Sequence, residues 1–265
     1  MTRARFDDVE VRRPDLRRPF PRRFRIRLAG QTVLVLSRRA KYLLAALSSE
    51  ETLLIHLGMS GSFRIDPPVE RHVARGNGEP AEADPHDHVL FRMSSGATIA
   101  YNDPRRFGIM DLLSPAALAK HPVLSRLGPE PLSTSFDAFT LARACRGKKT
   151  SLKAALLDQR VVAGLGNIYA SEALYRAGLS PQRCASTIAT PTGAPRGHAH
   201  RLTAAIKQVL SEAIARTLSS ASYRSSRFRV YDREGEPCRR ARCGGVIRRR
   251  TQGGRSTFYC PVCQR

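Results

Sequence analysis

The sequence predicts an α+β chain running from a β domain through a helical domain into a small cysteine-rich ribbon. Three observations carry that reading. From Gln31 to Met110 short apolar runs alternate with turn signals, and after Ser114-Pro115 the apolar spacing becomes helical. Near the C-terminus four of the six cysteines form two close pairs, Cys238-x4-Cys243 and Cys260-x2-Cys263. At 265 residues the chain has room for two modest domains, each with a core.

Residues 1–30 are basic and punctuated by Pro14, Pro19 and Pro21, and the pattern leaves their secondary structure ambiguous. Strands are expected at Thr32–Leu36, Tyr42–Leu47, Thr52–Leu57, Ser62–Ile65, Val89–Met93, Thr98–Tyr101 and Phe107–Leu112. Short strands at regular spacing fit a sandwich or a barrel. Residues 67–87, rich in Pro, Gly and acid, read as a surface loop. Helices are expected at Ala116–Lys120, Phe136–Cys145, Thr150–Val162, Asn167–Ala177 and His200–Leu218, and the polar run Ser219–Ser226 leads into the ribbon. The domain boundaries drawn from this plan are 1–114, 115–226 and 227–265.

The ribbon reads as two strands, Val246–Thr251 and Arg255–Cys260, around Gln252-Gly253-Gly254. Cysteine pairs on either side of such a hairpin supply four thiolates to one tetrahedral Zn²⁺, so Cys238, Cys243, Cys260 and Cys263 are the expected ligands of one structural zinc. Two disulfides are the competing reading, and no signal peptide supports them. Cys145 and Cys184 stand apart and read as small buried hydrophobes.

Charge narrows the partner. Lys plus Arg number 45 against 22 Asp plus Glu, a formal +23, and 39 of the cations are Arg. This disfavours an ordinary metabolic enzyme and favours a polyanion, either nucleic acid or an anionic membrane surface. No apolar run is long enough for a spanning helix, so no membrane partner is expected. The cations gather at the two ends, with 12 Arg against 4 acids in residues 1–40 and 12 against 3 in 224–265.

Three segments carry chemistry. Gly164-Leu165-Gly166 turns the chain so that Asn167 caps the next helix; with Lys149 before the preceding helix, this fits a phosphate clamp or a plain helix hairpin. Met59, between Gly58 and Ser60, fits a core strand or an apolar wedge between bases. Asn102-Asp103-Pro104-Arg105-Arg106-Phe107 fits a solvated turn or a loop that touches phosphates and unstacks a base.

Together these segments resemble the formamidopyrimidine-DNA glycosylase/endonuclease VIII family. The resemblance runs from about Val9 to Arg265 and includes RRAKYLL at 38–44, HLGMSGSFRI at 56–65, HDHV at 86–89, DPRRFG at 103–108, LGPEPL at 127–132, VVAGLGNIYASEAL at 161–174 and the ending RSTFYCPVCQR. It implies an N-terminal β-sandwich, a helix–two-turn–helix domain and a C-terminal zinc ribbon, with damaged double-stranded DNA held between domains. The implied activity is base-excision repair of oxidised purines, as glycosylase and abasic-site lyase, by a monomer in the bacterial cytoplasm and nucleoid. Lys41 resembles the family lysine that donates a proton in β-elimination, and Arg255 the catalytic arginine that grips the phosphates flanking the lesion and is assigned to δ-elimination. His86, Arg105, Lys149 and Asn167 match DNA-contacting positions, while Met59, Arg105 and Phe107 match the residues that fill the gap left by the extruded nucleotide. A zinc-ribbon transcription or ribosome-associated factor would share the charge and ribbon without needing the Gly-Leu-Gly-Asn turn and Arg255 together.

Two departures set competing expectations. Family members begin, after Met removal, with Pro-Glu, and the proline amine is the nucleophile. This chain reads Met1-Thr2-Arg3-Ala4, and Val9–Leu16 resembles the strand that follows the family's first helix. It is then a working enzyme whose start lies upstream, a DNA- or abasic-site binder with impaired excision, or an enzyme that uses the Thr2 amine. The segment 219–228 is also shorter than the family's lesion-capping loop, which favours the binder.

Overall fold

The computed structural model describes residues 1–68, 84–219 and 228–265. The expected loop at 67–87 and the short segment at 219–228 lie largely outside these residues. The chain divides into two compact units, Met1–Ser125 and Arg126–Arg265.

The first unit is a sandwich rather than a barrel. One antiparallel sheet has the order β1-β6-β7-β5, from Phe6–Val11, Asp87–Met93, Thr98–Asn102 and Ser62–Asp66. The other has the order β2-β3-β4-β8, from Val33–Arg39, Tyr42–Leu47, Thr52–His56 and Ile109–Leu113. Alternate side chains from both sheets meet in one core, with Val9, Phe91 and Tyr101 facing Leu47, Leu53 and Met110. Two elements fall where the sequence pattern assigned none: β1, and α1 at Phe24–Leu28, whose Phe24 and Leu28 close one end of that core. The last expected strand starts at Ile109 rather than Phe107, because the buried Asp103 carboxylate takes the Gly108 N–H into the preceding turn. Ser114 caps α2 (Pro115–Ala119) by accepting from the Ala117 N–H, with proline at the first helical position.

The second unit packs α3 (Ala138–Cys145), α4 (Leu152–Leu157), α5 (Asn167–Ala177) and α6 (Gly197–Ser219) around Leu141, Leu156, Leu174 and Ile206. Asp137 and Thr140 form a reciprocal capping box on α3, and Ser151 caps α4. The helix expected over 150–162 stops at Leu157. Beyond it the Asp158 carboxylate accepts from the Arg160 N–H, and the Gln159 side chain bonds Leu157 O, Leu165 O and the Gly164 N–H. These local bonds replace the helical ladder. The ribbon strands are β9 (Arg248–Gln252) and β10 (Arg255–Tyr259), and the ribbon's Ile247 and Phe258 pack on Tyr175 of α5.

Among the described residues no helix is long and apolar enough to cross a membrane.

Candidate nucleic-acid interface and metal centre

In the first unit one buried carboxylate organises the candidate interface. Asp103 is fully buried. Its Oδ1 accepts from the Ser60 hydroxyl at 2.6 Å, and its Oδ2 from the Tyr101 hydroxyl at 3.1 Å and the Gly108 N–H at 2.8 Å. Its backbone N–H donates to His86 O at 3.0 Å, and its carbonyl accepts from His88 Nε2 at 2.9 Å. The loop after β4, the loop after β7 and the entry to β6 are thereby fixed together. A Cβ on Gly58 would meet the Phe107 carbonyl carbon at 2.5 Å, so only glycine lets the first two loops touch, and its φ of +67° needs glycine as well.

On this frame stand the side chains that the sequence singled out. Met59 is 73% exposed, which excludes the core-strand reading, and Phe107 is 40% exposed. The Arg105 guanidinium lies 4.7 Å from the Phe107 ring centre, and its backbone N–H donates to Ser60 Oγ. Two exposed apolar side chains and a cation thus project from one rigid loop pair. His86 is exposed just before β6. Lys41 is exposed in the two-residue turn between β2 and β3, where Ala40 takes a φ of 53°. Burial first, and then the Lys41 and Arg17 charges, hold the His56 pKa below its usual value. The neutral ring keeps Nδ1 as acceptor for the Gly58 N–H at 3.0 Å, which connects Lys41's surroundings to the Met59 loop.

In the second unit the structure brings Asn167 to the hairpin that carries Arg255. The cap of α5 is Gly166, and Asn167 is the first helical residue. Its side chain caps nothing, contrary to expectation: Nδ2 donates to Ser256 O at 2.9 Å, and Oδ1 is buried without a hydrogen-bond partner. Lys153, on the inner face of α4 and 1% exposed, donates to the same Ser256 O at 3.0 Å and to Thr257 Oγ1 at 2.7 Å. Burial, and then the Arg255 charge, lower its pKa to about 8. Arg255 is exposed and opens β10, while Lys149 is exposed two residues before the Ser151 cap.

Sequence reasoning missed Asp103 and Lys153. Asp103 read as part of a turn, and Lys153 drew notice only as one of six lysines in this arginine-rich chain, with no role or partner assigned to it. Cys145 is inert, its thiol pushed up to about 11 by burial. Cys184 is half-buried, bonded to Lys148 O and Ser186 Oγ.

The sulfurs of Cys238, Cys243, Cys260 and Cys263 lie within 4.8 Å of one another, with Cys238–Cys263 at 3.8 Å and Cys243–Cys260 at 3.5 Å. Bonds of about 2.3 Å to a tetrahedral Zn²⁺ set an S–S edge of about 3.8 Å, so the set fits that ion. No solvent position is needed, which makes the zinc structural. A Cβ on Gly245 would meet Cys260 Sγ at 2.6 Å, so glycine leaves room for the fourth sulfur.

A cavity of about 540 Å³ lies beside α5, lined by Tyr169, Arg176, Glu212 and Phe228 among others. At its wall the Glu172 carboxylate accepts the N–H groups of Arg229, Val230 and Tyr231, each at 2.9 Å, fastening the entry to the ribbon.

A β-sandwich unit, a helical unit with a glycine turn before α5 and a four-thiolate ribbon define a zinc-ribbon protein of the helix–two-turn–helix class. Family models match in the same order: the formamidopyrimidine-DNA glycosylase N-terminal domain at residues 1–110, the formamidopyrimidine-DNA glycosylase H2TH domain at 127–225, and the zinc finger found in FPG and IleRS at 235–265. The chain is 57% identical over 276 residues to the formamidopyrimidine-DNA glycosylase of Rhodopseudomonas palustris (strain BisA53), covering 100% of this chain and 94% of that protein. To the protein of the same name from Bradyrhizobium sp. (strain BTAi1) it is 56% identical, with the same coverage. Among solved structures, Lactococcus lactis Fpg in complex with DNA containing an abasic site aligns with a TM-score of 0.83 at 28% identity, covering 100% of this chain and 94% of that one. The MutM (Fpg) protein of Thermus thermophilus aligns with a TM-score of 0.80 at 35% identity, covering 100% and 92%. The chain belongs to the formamidopyrimidine-DNA glycosylase family.

Proposed function

We propose that this chain acts in base-excision repair, as an N-glycosylase for oxidised purines in duplex DNA and as a lyase at the abasic site that results. The observation that carries the proposal is the exposed Met59, Arg105 and Phe107 set, held rigid through one buried carboxylate. A nucleotide must leave the duplex before its glycosidic carbon is reachable, and apolar side chains with a cation are suited to filling the vacated stack. His86, Lys149 and Asn167 are assigned to the DNA backbone, and Arg255 to the phosphates flanking the lesion. Lys41 is assigned to proton donation in β-elimination. Zinc keeps the hairpin folded and takes no part in bond breaking. The protein works as a monomer in the bacterial cytoplasm, at the nucleoid.

A second reading has its own support: this chain binds abasic sites and does not excise. The Arg3 N–H is bonded to Val33 O, and Ala4 and Phe6 are buried in the sandwich core, so the residues around Thr2 are held by that unit.

Incubation with a duplex carrying 8-oxoguanine or an abasic site, under borohydride, tests both readings. A trapped covalent complex from the 265-residue chain supports the lyase. Abasic-site binding without trapping, whether or not a Pro-Glu-led segment is added in front, supports the second reading, whereas trapping gained on adding that segment supports the first. Loss of specific binding to either duplex overturns both.

A further inference from the structure

The helix that carries Asn167 at its first position ends against the metal centre. Tyr175 lies near the C-terminal end of α5 and is 6% exposed. A buried phenol needs a hydrogen-bond partner, and the one its hydroxyl finds is a zinc ligand, Cys238 Sγ, at 3.4 Å. The Arg240 backbone N–H, from the same cysteine knuckle, reaches that sulfur at 3.4 Å. The contact is returned in the other direction. The Arg240 guanidinium donates to Tyr175 O at 2.6 Å, a carbonyl that also accepts the Gly178 N–H, and lies 5.2 Å from the Tyr175 ring centre. The second knuckle is fastened to the same helix end: Gln264 Nε2 donates to Leu179 O at 2.9 Å, and the Arg265 N–H to Gly178 O at 3.2 Å.

We propose that Tyr175 is a positioning residue of the metal centre. Its hydroxyl donates to the Cys238 sulfur, making α5 part of the zinc site and slowing release of the ion. The chemistry is that of an outer-shell donor. Zn²⁺ holds each cysteine as a thiolate, and four thiolates leave the centre with excess negative charge. An O–H donor on one sulfur disperses that charge and orients the sulfur's lone pairs toward the metal. A phenylalanine here would keep the ring, the packing against the ribbon and the Arg240 contact, and would lose only the hydrogen bond. The hydroxyl's contribution is therefore separable from the ring's.

The test uses the full chain, zinc-loaded, as wild type and as Tyr175→Phe. Zinc content of the wild type is measured first, so that a chain holding no zinc counts against the metal assignment and not against Tyr175. Transfer of zinc to a chromophoric chelator is then followed in time. The variant is expected to release zinc on the order of 10-fold faster, the lower end of what outer-shell changes produce. Equal rates overturn the proposal. Co²⁺ in place of zinc supplies a readout that packing alone does not move. Losing a donor raises the energy of the sulfur lone pairs, so the sulfur-to-cobalt charge-transfer band should shift to lower energy in the variant, and an unmoved band overturns the proposal. Should the phenylalanine variant fail to fold, fluorotyrosine at position 175 carries the test. It is a stronger donor of nearly the same shape, expected to shift the band to higher energy and slow release; no shift overturns the proposal.

Discussion

Lys153 of α4 and Asn167 of α5 donate to a single acceptor, the carbonyl oxygen of Ser256, at 3.0 and 2.9 Å. Ser256 follows Arg255 directly, so the helical domain sets the backbone position of that exposed arginine. Replacing Lys153 by Met keeps the volume but leaves the buried Thr257 hydroxyl without its Lys153 partner. A lost buried partner costs about 1–3 kcal/mol. K153M should lose about 1–3 kcal/mol of unfolding free energy in urea titrations, retain its zinc, and bind abasic-site DNA more weakly; unchanged binding would separate Lys153 from the placement of Arg255.

The same lysine gives a pH signature. Burial and the Arg255 charge lower its pKa to about 8, whereas in the unfolded chain a lysine titrates at about 10.4. Between those values the unfolded state binds more protons, so unfolding free energy rises with pH, by at most about 1.4 kcal/mol per unit, and below about pH 8 the term is flat. The stability of wild type relative to K153M should therefore grow from about pH 8 to pH 10 and be constant from about pH 6 to 7. Urea titrations of the two chains across that range check it, and a difference that shrinks with rising pH would refute the assignment.

Much of this fold was legible because its determinants are local. Apolar runs bounded by turn residues placed β3, β6 and β7 within two residues, and the spacing of Cys238, Cys243, Cys260 and Cys263 gave the ligand set before any distance was known. The failures are tertiary. β1 is hidden because only Phe6 and Val9 of its six residues are fully buried, and three of the other four are the acids Asp7, Asp8 and Glu10. Lys153 lies beside Leu152 and Leu156 on the buried side of α4, where a cation is tolerated only because Ser256 and Thr257 come from about 100 residues away to receive it. Asp103 read as a turn former because its three side-chain donors, Ser60, Tyr101 and Gly108, meet only in the folded sandwich.

Asp103 and Met59 should separate framework from contact. Asp103→Asn replaces one acceptor oxygen with a donor facing other donors. It should cost about 1–3 kcal/mol and loosen the loops that hold Arg105 and Phe107. Met59→Ala removes a side chain that is 73% exposed, so its stability should stay within about 0.5 kcal/mol of wild type. Both should weaken binding to abasic-site duplex, only the first with a fall in melting temperature. Paired calorimetry and fluorescence-anisotropy titrations read the two effects.

The proposed roles of Arg255 and Asn167 differ in kind, since one would offer a phosphate a full charge and the other a dipole. Arg255→Ala should weaken binding to all duplexes and lower the slope of log affinity against log salt by about one. Asn167→Ala should weaken binding across sequences with the slope little changed, since it releases no counterion of its own. Titrations at three salt concentrations distinguish them. An equal slope for Arg255→Ala and wild type would remove Arg255 from the phosphate contacts, and unchanged affinity for Asn167→Ala would remove that residue from the site.

Zinc removal should disable binding without unfolding the sandwich. The ribbon's own core is small: Val230, Ile247, Phe258 and Cys260 packed on Tyr175. A module of this size holds together through its metal. Stripping the ion with a chelator, or replacing Cys260 with Ser, should release β9 and β10, and with them Arg255 and the Ser256 acceptor. The first unit keeps its own core around Phe91, Leu53 and Met110 and makes no use of the thiolates. Hydrogen exchange should therefore accelerate at Arg248–Tyr259 and stay slow at Val89–Met93, while DNA affinity falls. Metal analysis gives the stoichiometric check, one zinc per chain. A value well below one in chain purified without chelator would contradict the four-thiolate assignment, and fast exchange in both units would mean that the metal supports more than the ribbon.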